Sequence, residues 1–361
     1  MVVKILQITI FSLLVLLSIF VFAVWAVTWR PVKMESIKIE CSENKPSLEK
    51  EKKIKILNWN VQYLAGKNYV FFYDLLDGSG PHKRPERKDI EITLEKMVAL
   101  IKKESPDIIL LQEVDENAAR TDKEDQTKRI LEKLNGEYCH AEAFYWKADF
   151  VPHPKIMGSV GLKLVTLSKF KIKRATRHQL PVMPGMWIEQ QFNFRRAVLE
   201  TIIETADGGE FAIMNLHLDA FAQGNNTMER QVRALSGLFS EKLLAGIPFI
   251  AGGDYNLLAP GQYEKLPVPQ RAYFNPDTEL RILTEKFSFI PSMNDINSPE
   301  RSKWFTHFPN DPAAGKPDRT IDYIFYAGVT LKSSVVIQAD AMDISDHFPV
   351  IMEIEIPRKT E

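Results

Sequence analysis

The 361-residue chain has two cysteines, Cys41 and Cys139. Two are too few for a disulfide framework or a cysteine-based zinc site. They read as a pair of inert thiols, with a single bridge as the alternative. No excess of charge of either sign is present either: 46 Lys and Arg against 47 Asp and Glu give a formal net charge of -1. A dedicated nonspecific DNA binder is usually more basic, so net charge lends that idea no support, although a local basic groove stays open. There is no internal repeat and no long low-complexity segment. With 45% hydrophobic and 26% charged residues, the balance is that of a folded globular protein.

The stretch Ile5–Trp29 contains no charged residue. A membrane-spanning helix needs ~20 apolar residues and a signal-peptide core ~7–15. The stretch therefore reads as a transmembrane anchor, with Trp25 and Trp29 in an interfacial belt. A long signal peptide cleaved after Ala26 is the alternative. Lys4 lies on one side, and Arg30, Lys33 and Lys38 on the other. Positive-inside counting would keep the domain in the cytoplasm, yet large domains translocate largely regardless of such counts. The expectation is a single-pass membrane protein with an extracytoplasmic domain. Residues 30–53, rich in Lys, Glu, Ser and Pro, read as a charged, solvated linker. A folded domain is expected over 54–361.

Within that domain short apolar strands dominate. The candidates are Ile54–Asn60, Ile108–Gln112, Gly161–Leu167, Ala197–Ile203, Phe211–Leu218, Pro248–Gly252, Ile321–Tyr326, Ser334–Gln338 and Phe348–Ile356. Ile90, Leu94, Met97, Val98 and Ile101 share one helix face, ended by Ser105-Pro106. Val232, Leu235, Phe239 and Leu243 mark a second helix, with Asn226 as N-cap and Glu229 three residues on. A third is expected from about Pro276 through Leu280, Ile282 and Leu283. The fold class is α/β: two packed β-sheets flanked by helices, after one N-terminal transmembrane helix. Loops at 66–86 and 176–194 are long for plain connections and are expected to shape a substrate.

Polar residues recur where these strands end: Asn60, Glu113, Asn215 and His217, Asp254 and Asn256, Asp322, then Asp346 and His347. Carboxylates, carboxamides and imidazoles on one rim suit a divalent metal and a phosphate. Each feature alone has a plainer reading, such as a strand-end amide, an Asx turn or a satisfied structural histidine. Their order along the chain is more specific. Leu57-Asn58-Trp59-Asn60-Val61, Leu111-Gln112-Glu113-Val114, Asn215-Leu216-His217, Gly252-Gly253-Asp254-Tyr255-Asn256, Asp322-Tyr323 and Ser345-Asp346-His347 together resemble the endonuclease/exonuclease/phosphatase superfamily.

That resemblance, over about Ile54 to Ile356, implies a four-layer α/β/β/α sandwich and a metal-dependent phosphodiester hydrolase. It implies Mg²⁺, with Mn²⁺ as substitute, held by Asn60, Glu113 and Asp346. It further implies that Asp254 and Asn256 orient or deprotonate the attacking water. His217 meets the leaving oxygen, and His347, oriented by Asp322, is general base or transition-state stabiliser. Asn215, Arg195 and Arg196 are implied phosphate contacts. Thr306 also matches a family position, while His307 has no assigned role. His82, His140, His153 and His178 read as surface or loop residues. Asp322-Tyr323 departs from the Asp-Arg of the inositol-polyphosphate 5-phosphatase branch, which counts against that activity. The first reading of substrate is a nucleic acid or general phosphodiester, the second a phospholipid as in sphingomyelinases, and the third a non-catalytic binding protein. No protein partner is evident.

Overall fold

Alternation of apolar side chains builds two sheets that share one interior. The computed structural model describes residues 1–42, 44–220, 222 and 224–358. The strands are β1 Met34–Ser36, β2 Ile39–Glu40, β3 Lys53–Asn60, β4 Ile108–Asp115, β5 Cys139–Val151, β6 Gly158–Ser168 and β7 Ile172–Gln179. There follow β8 Ala197–Glu204, β9 Glu210–His217, β10 Phe249–Asp254, β11 Ser288–Ile290, β12 Asp322–Ala327, β13 Thr330–Val336 and β14 Val350–Glu355. One seven-stranded sheet runs β1-β7-β8-β9-β10-β12-β11, and the other β13-β14-β3-β4-β6-β5-β2.

The expected sandwich is present. Ile213 of β9 and Ile250 of β10 face the other sheet, where they join Ile56 and Leu110. Their neighbours Met214, Phe249 and Ala251 turn outward and are covered by Val232, Leu235 and Phe239 of helix Thr227–Leu244. Helix Arg87–Glu104 covers the opposite sheet with Ile90, Leu94, Met97, Val98 and Ile101, and Ser105 at φ +48 closes it. Asn226 stands at the start of the other helix without capping it. The side chain of Asn225 accepts from the Thr227 amide at 2.9 Å instead. The third expected helix shrinks to one turn, Arg281–Thr284.

Two strand connections decide where the site forms. β3 pairs β4 in parallel, with Asn60 opposite Gln112, and β9 pairs β10 in parallel, with His217 opposite Asp254. Antiparallel β12 sets Asp322 opposite Asp254. The ends of β3, β4, β9 and β10 and the start of β12 therefore share one rim. The two sheets close tightly just beneath it. A Cβ on Gly252 would stand 2.6 Å from Leu110 Cδ1 and 3.1 Å from Asn58 Oδ1, so a larger residue would have to displace them.

The stretch 30–53 is largely exposed, as its composition predicts, but it is fastened to the domain. β1 pairs β7, β2 pairs β5, and buried Leu48 bridges to Thr205. The cysteines are not inert thiols: Cys41 and Cys139 form a disulfide. The β2–β5 register sets Ile39 opposite Ala141 and Glu40 opposite His140, so the next pair in line is the two cysteines. Strands β5 and β7 escape a hydrophobic pattern because their sequences, Cys-His-Ala-Glu-Ala and Ile-Lys-Arg-Ala-Thr-Arg, alternate with small or charged residues. β7 also claims 176–179, which shortens the second long loop. Helix Val2–Val27 is long and apolar enough to cross a membrane, and all but a small part of it lies outside the packed domain.

Candidate active site

Glu113 reaches the rim through a backbone irregularity. The β4–β6 register shifts between Leu111 and Val114, and Glu113 itself lies at φ +59. Such a bulge re-aims one side chain. Glu113 Oε1 accepts from Asn60 Nδ2 at 3.1 Å, and the same amide nitrogen donates to Asp254 Oδ2 at 3.1 Å. The Asn60 oxygen is occupied by the Gln62 backbone amide at 3.0 Å. Asn60, expected as a metal ligand, spans two carboxylates through its NH₂ while its oxygen holds the Gln62 amide, which leaves that oxygen one lone pair.

Asp254 is the hub. Its Oδ2 lies 3.3 Å from His217 Nε2 and 3.6 Å from His347 Nε2, and its Oδ1 accepts from the Asn256 backbone amide at 2.9 Å. Burial pushes the Asp254 carboxyl up to about 7, against the pull of His347. His347 Nδ1 pairs with Asp322 Oδ2 at 2.9 Å. Burial works against charge on His347, yet Asp322, Asp254 and Asp346 together hold the imidazole up to about 10. The three carboxylates thus favour the protonated ring. His217 is the opposite case: burial, then Arg196, holds it well below the usual imidazole range. Its Nδ1 faces the Tyr145 hydroxyl at 3.3 Å, and its Nε2 lies 3.1 Å from Asn256 Nδ2.

The remaining expected residues divide. Asp346 Oδ2 accepts from Gln62 Nε2 at 3.1 Å and belongs to the site. Arg196 is 5% exposed and lines the cavity. Its Nε donates to Asp219 at 3.2 Å and its guanidinium lies 4.3 Å from the Phe194 ring, while one buried terminal nitrogen has no partner. Arg195 turns away and donates to the Gln190 carbonyl at 2.7 Å, outside the cavity lining. Asn215 shares a strand face with His217 but sits two residues deeper. It donates to the Leu111 and Val165 carbonyls at 3.0 and 2.9 Å and accepts from Gln112 at 2.8 Å. Every hydrogen-bonding group of Asn215 faces protein, so it is a tie between sheets and does not contact phosphate.

Four residues that the sequence left unassigned belong to the site. His307 packs its ring 4.5 Å from that of His347, and its Nε2 is 3.8 Å from Asp346. The signal was adjacent: residues 306–308 pair in backbone with 346–348. Gln62 and Tyr145 carry no motif. Asp74, from the loop at 66–86, lines the cavity, and burial, then the charge of Asp346, pushes it up to about 7.

The donor set fits a divalent cation. Burial, then the charge of Asp346, pushes Glu113 above its ordinary value, the expected response of two carboxylates facing one space. Gln62 Oε1 and Asp322 Oδ1 are buried without a partner. Ligand atoms of His307 and Asp346 lie within 4.8 Å of one another, as do those of Asp254 and Asp322.

The pattern of the Endonuclease/Exonuclease/phosphatase family matches residues 57–347. The chain belongs to that family. No curated protein matches it by sequence. Among solved structures, an endonuclease/exonuclease/phosphatase from Beutenbergia cavernae is similar at TM-score 0.57 and 19% identity, covering 85% of this chain and 72% of that one. The human Nocturnin catalytic domain with bound sulfate anion is similar at TM-score 0.53 and 17% identity, covering 88% and 96%. A family protein from Leptotrichia buccalis gives 0.54 and 16%, covering 84% and 99%. At such identities these structures speak for the fold alone. Family membership makes the chain an enzyme of the metal-dependent phosphoric ester hydrolase class, which sets aside the non-catalytic reading.

Proposed function

We propose that this enzyme is a Mg²⁺-dependent phosphodiesterase, held at a membrane by its N-terminal helix, that adds water to phosphorus in line with the departing oxygen. The observation that carries the reading is Asp254, poised between Asn60, His217 and His347 at 3.1, 3.3 and 3.6 Å. A carboxyl brought near neutrality by burial is matched to taking a proton from water at physiological pH. With three carboxylates favouring a protonated His347, we assign the base to Asp254. The imidazolium, fixed by Asp322, lies where charge grows on the phosphoryl oxygens. Neutral His217, steadied by Tyr145 and Asn256, serves the departing oxygen. Arg196 lines the cavity, and its guanidinium would pair with a phosphate oxygen. Glu113 and Asp346 would hold the cation, with Mn²⁺ as substitute, and the bound metal would supply neutralisation of a non-bridging oxygen. Asn60 and Gln62 hold those carboxylates in place.

The disulfide supports placing the domain outside the cytoplasm, since such bonds persist in oxidising compartments. A test of the whole reading uses the full chain with bis(p-nitrophenyl) phosphate and with plasmid DNA, each in Mg²⁺ and in EDTA. Hydrolysis in Mg²⁺ that EDTA abolishes is the expected outcome. Absence of diester hydrolysis in both Mg²⁺ and Mn²⁺ would overturn it.

A further inference from the structure

The apolar N-terminal helix does not end in free chain. Trp29, two residues past its last turn, sets its ring 6.4 Å from that of Phe144 on β5, beneath the Arg177 guanidinium at 5.1 Å. Arg30 donates to the Gln191 side chain at 3.1 Å. At no more than ~3.6 Å per residue, the Arg30 backbone lies within roughly 11 Å of the helix end, and its side chain reaches on to Gln191. A helix that crosses a bilayer would thus bring the segment around Gln191 to the bilayer surface.

The same segment forms a wall of the active-site cavity. Met183, Asn193 and Phe194 line that cavity, and Trp146, whose indole N–H donates to the Phe192 carbonyl at 2.7 Å, lines it beside them. The cavity has a volume of about 850 Å³, with Glu113, Asp254 and His347 among its lining. Between the lining residues and the helix contact, Met186 and Trp187 project into solvent at 65% and 47% exposure. The tip of the β5–β6 hairpin adds Phe150 and Met157, also exposed, and Met157 reaches the cavity. Exposed tryptophan and methionine beside a membrane helix suit the interfacial layer, which accepts rings that are part apolar and part polar. Lys83 and Lys155 at the cavity edge suit a phosphate-rich surface.

We propose that the cavity mouth rests on the bilayer that holds the N-terminal helix, with Met186 and Trp187 entering its interfacial layer, and that the diester hydrolysed belongs to a membrane phospholipid. This rests on the phosphodiesterase reading above and adds the source of the substrate. The water oxygen bonds to phosphorus, one P–O ester bond breaks, and the departing oxygen takes up a proton. An alcohol and a phosphomonoester result, with no redox partner.

The test reconstitutes the full chain in phosphatidylcholine vesicles containing phosphatidylglycerol, with Mg²⁺, and follows lipid products by mass spectrometry. Bis(p-nitrophenyl) phosphate and plasmid DNA are assayed in the same vesicles. The wild type is expected to hydrolyse vesicle lipid. A double variant, Met186→Ser with Trp187→Ser, is expected to lower the ratio of lipid to soluble-diester turnover at least roughly tenfold. Soluble diester cleaved while lipid stays intact, DNA cleaved in preference to lipid, or an unaltered ratio in the double variant would each overturn the proposal. Failure on all three substrates would instead sink the phosphodiesterase reading beneath it.

Discussion

Two polar layers lie one above the other on the same strands, and they behave differently. The lower layer joins Asn58, Gln112 and Asn215 between the sheets. Gln112 donates to Asn58 at 2.9 Å and to Asn215 at 2.8 Å, and Asn58 donates to the Gly253 carbonyl at 3.4 Å. Apart from Gln112 Oε1, each side-chain amide group there has a protein partner. The upper layer holds Glu113, Asp254, Asp322, Asp346, His217 and His347, where like charges face each other and both Asp322 Oδ1 and Gln62 Oε1 are unpartnered. Buried polar groups are normally satisfied, and an orphan among carboxylates is one that a bound ion would explain. Ionisable groups that face one another, and not polarity alone, separate the proposed catalytic layer from the amide layer that ties the sheets.

The sharpest way to break this comparison is to swap effects between layers. In the upper layer, Glu113→Ala, Asp254→Ala and His347→Ala are each expected to cost at least roughly a hundredfold in turnover while the protein still folds. Steady-state kinetics together with circular dichroism check this. In the lower layer, Asn215→Ala strands two carbonyls and the Gln112 amide. It is expected to lower unfolding free energy by about 2–3 kcal/mol in urea titration. Its folded fraction should retain turnover within roughly fivefold of the wild type, because Asn215 touches no reacting group.

A smaller contrast sets the two neighbouring arginines apart. Arg196→Ala should raise KM roughly tenfold, since it removes the guanidinium that lines the cavity. Arg195→Ala should leave KM within about twofold, because its contact is the Gln190 carbonyl. Equal effects from the two would remove Arg196 from the phosphate site.

The smallest effect is a pH trend in stability. The His347 imidazole is held up to about 10 in the fold, against ~6.5 in an unfolded chain. Its stabilising contribution is therefore complete below ~6.5 and disappears as pH rises through about 10. Thermal unfolding in EDTA should show the widest gap between wild type and His347→Gln below pH 6.5, closing toward pH 10. A gap that widens with pH would contradict the imidazolium assignment.

Much of this was written in the sequence. Apolar strands with a polar residue at one end gave nine of the strands, and the order of the motifs led to the rim. The remainder needed three dimensions. Asn215 and His217 obey the same alternation, so sequence places both on one face. Only the packing of Leu111 and Val165 against Asn215 shows that it sits a layer too deep. His307 enters the site through backbone pairing with His347, which no local pattern encodes. Cys41 and Cys139 meet because β2, a strand of two residues, pairs in register with β5. Arg195 and Arg196 are indistinguishable as a dipeptide and point to different places.

The most direct measurement is turnover of bis(p-nitrophenyl) phosphate by purified Asp254→Asn in saturating Mg²⁺. The substitution keeps the shape of the hub and removes its ability to accept a proton. A loss of at least roughly a hundredfold, with unchanged circular dichroism, is the predicted result. A rate within about threefold of the wild type would contradict the central role of Asp254.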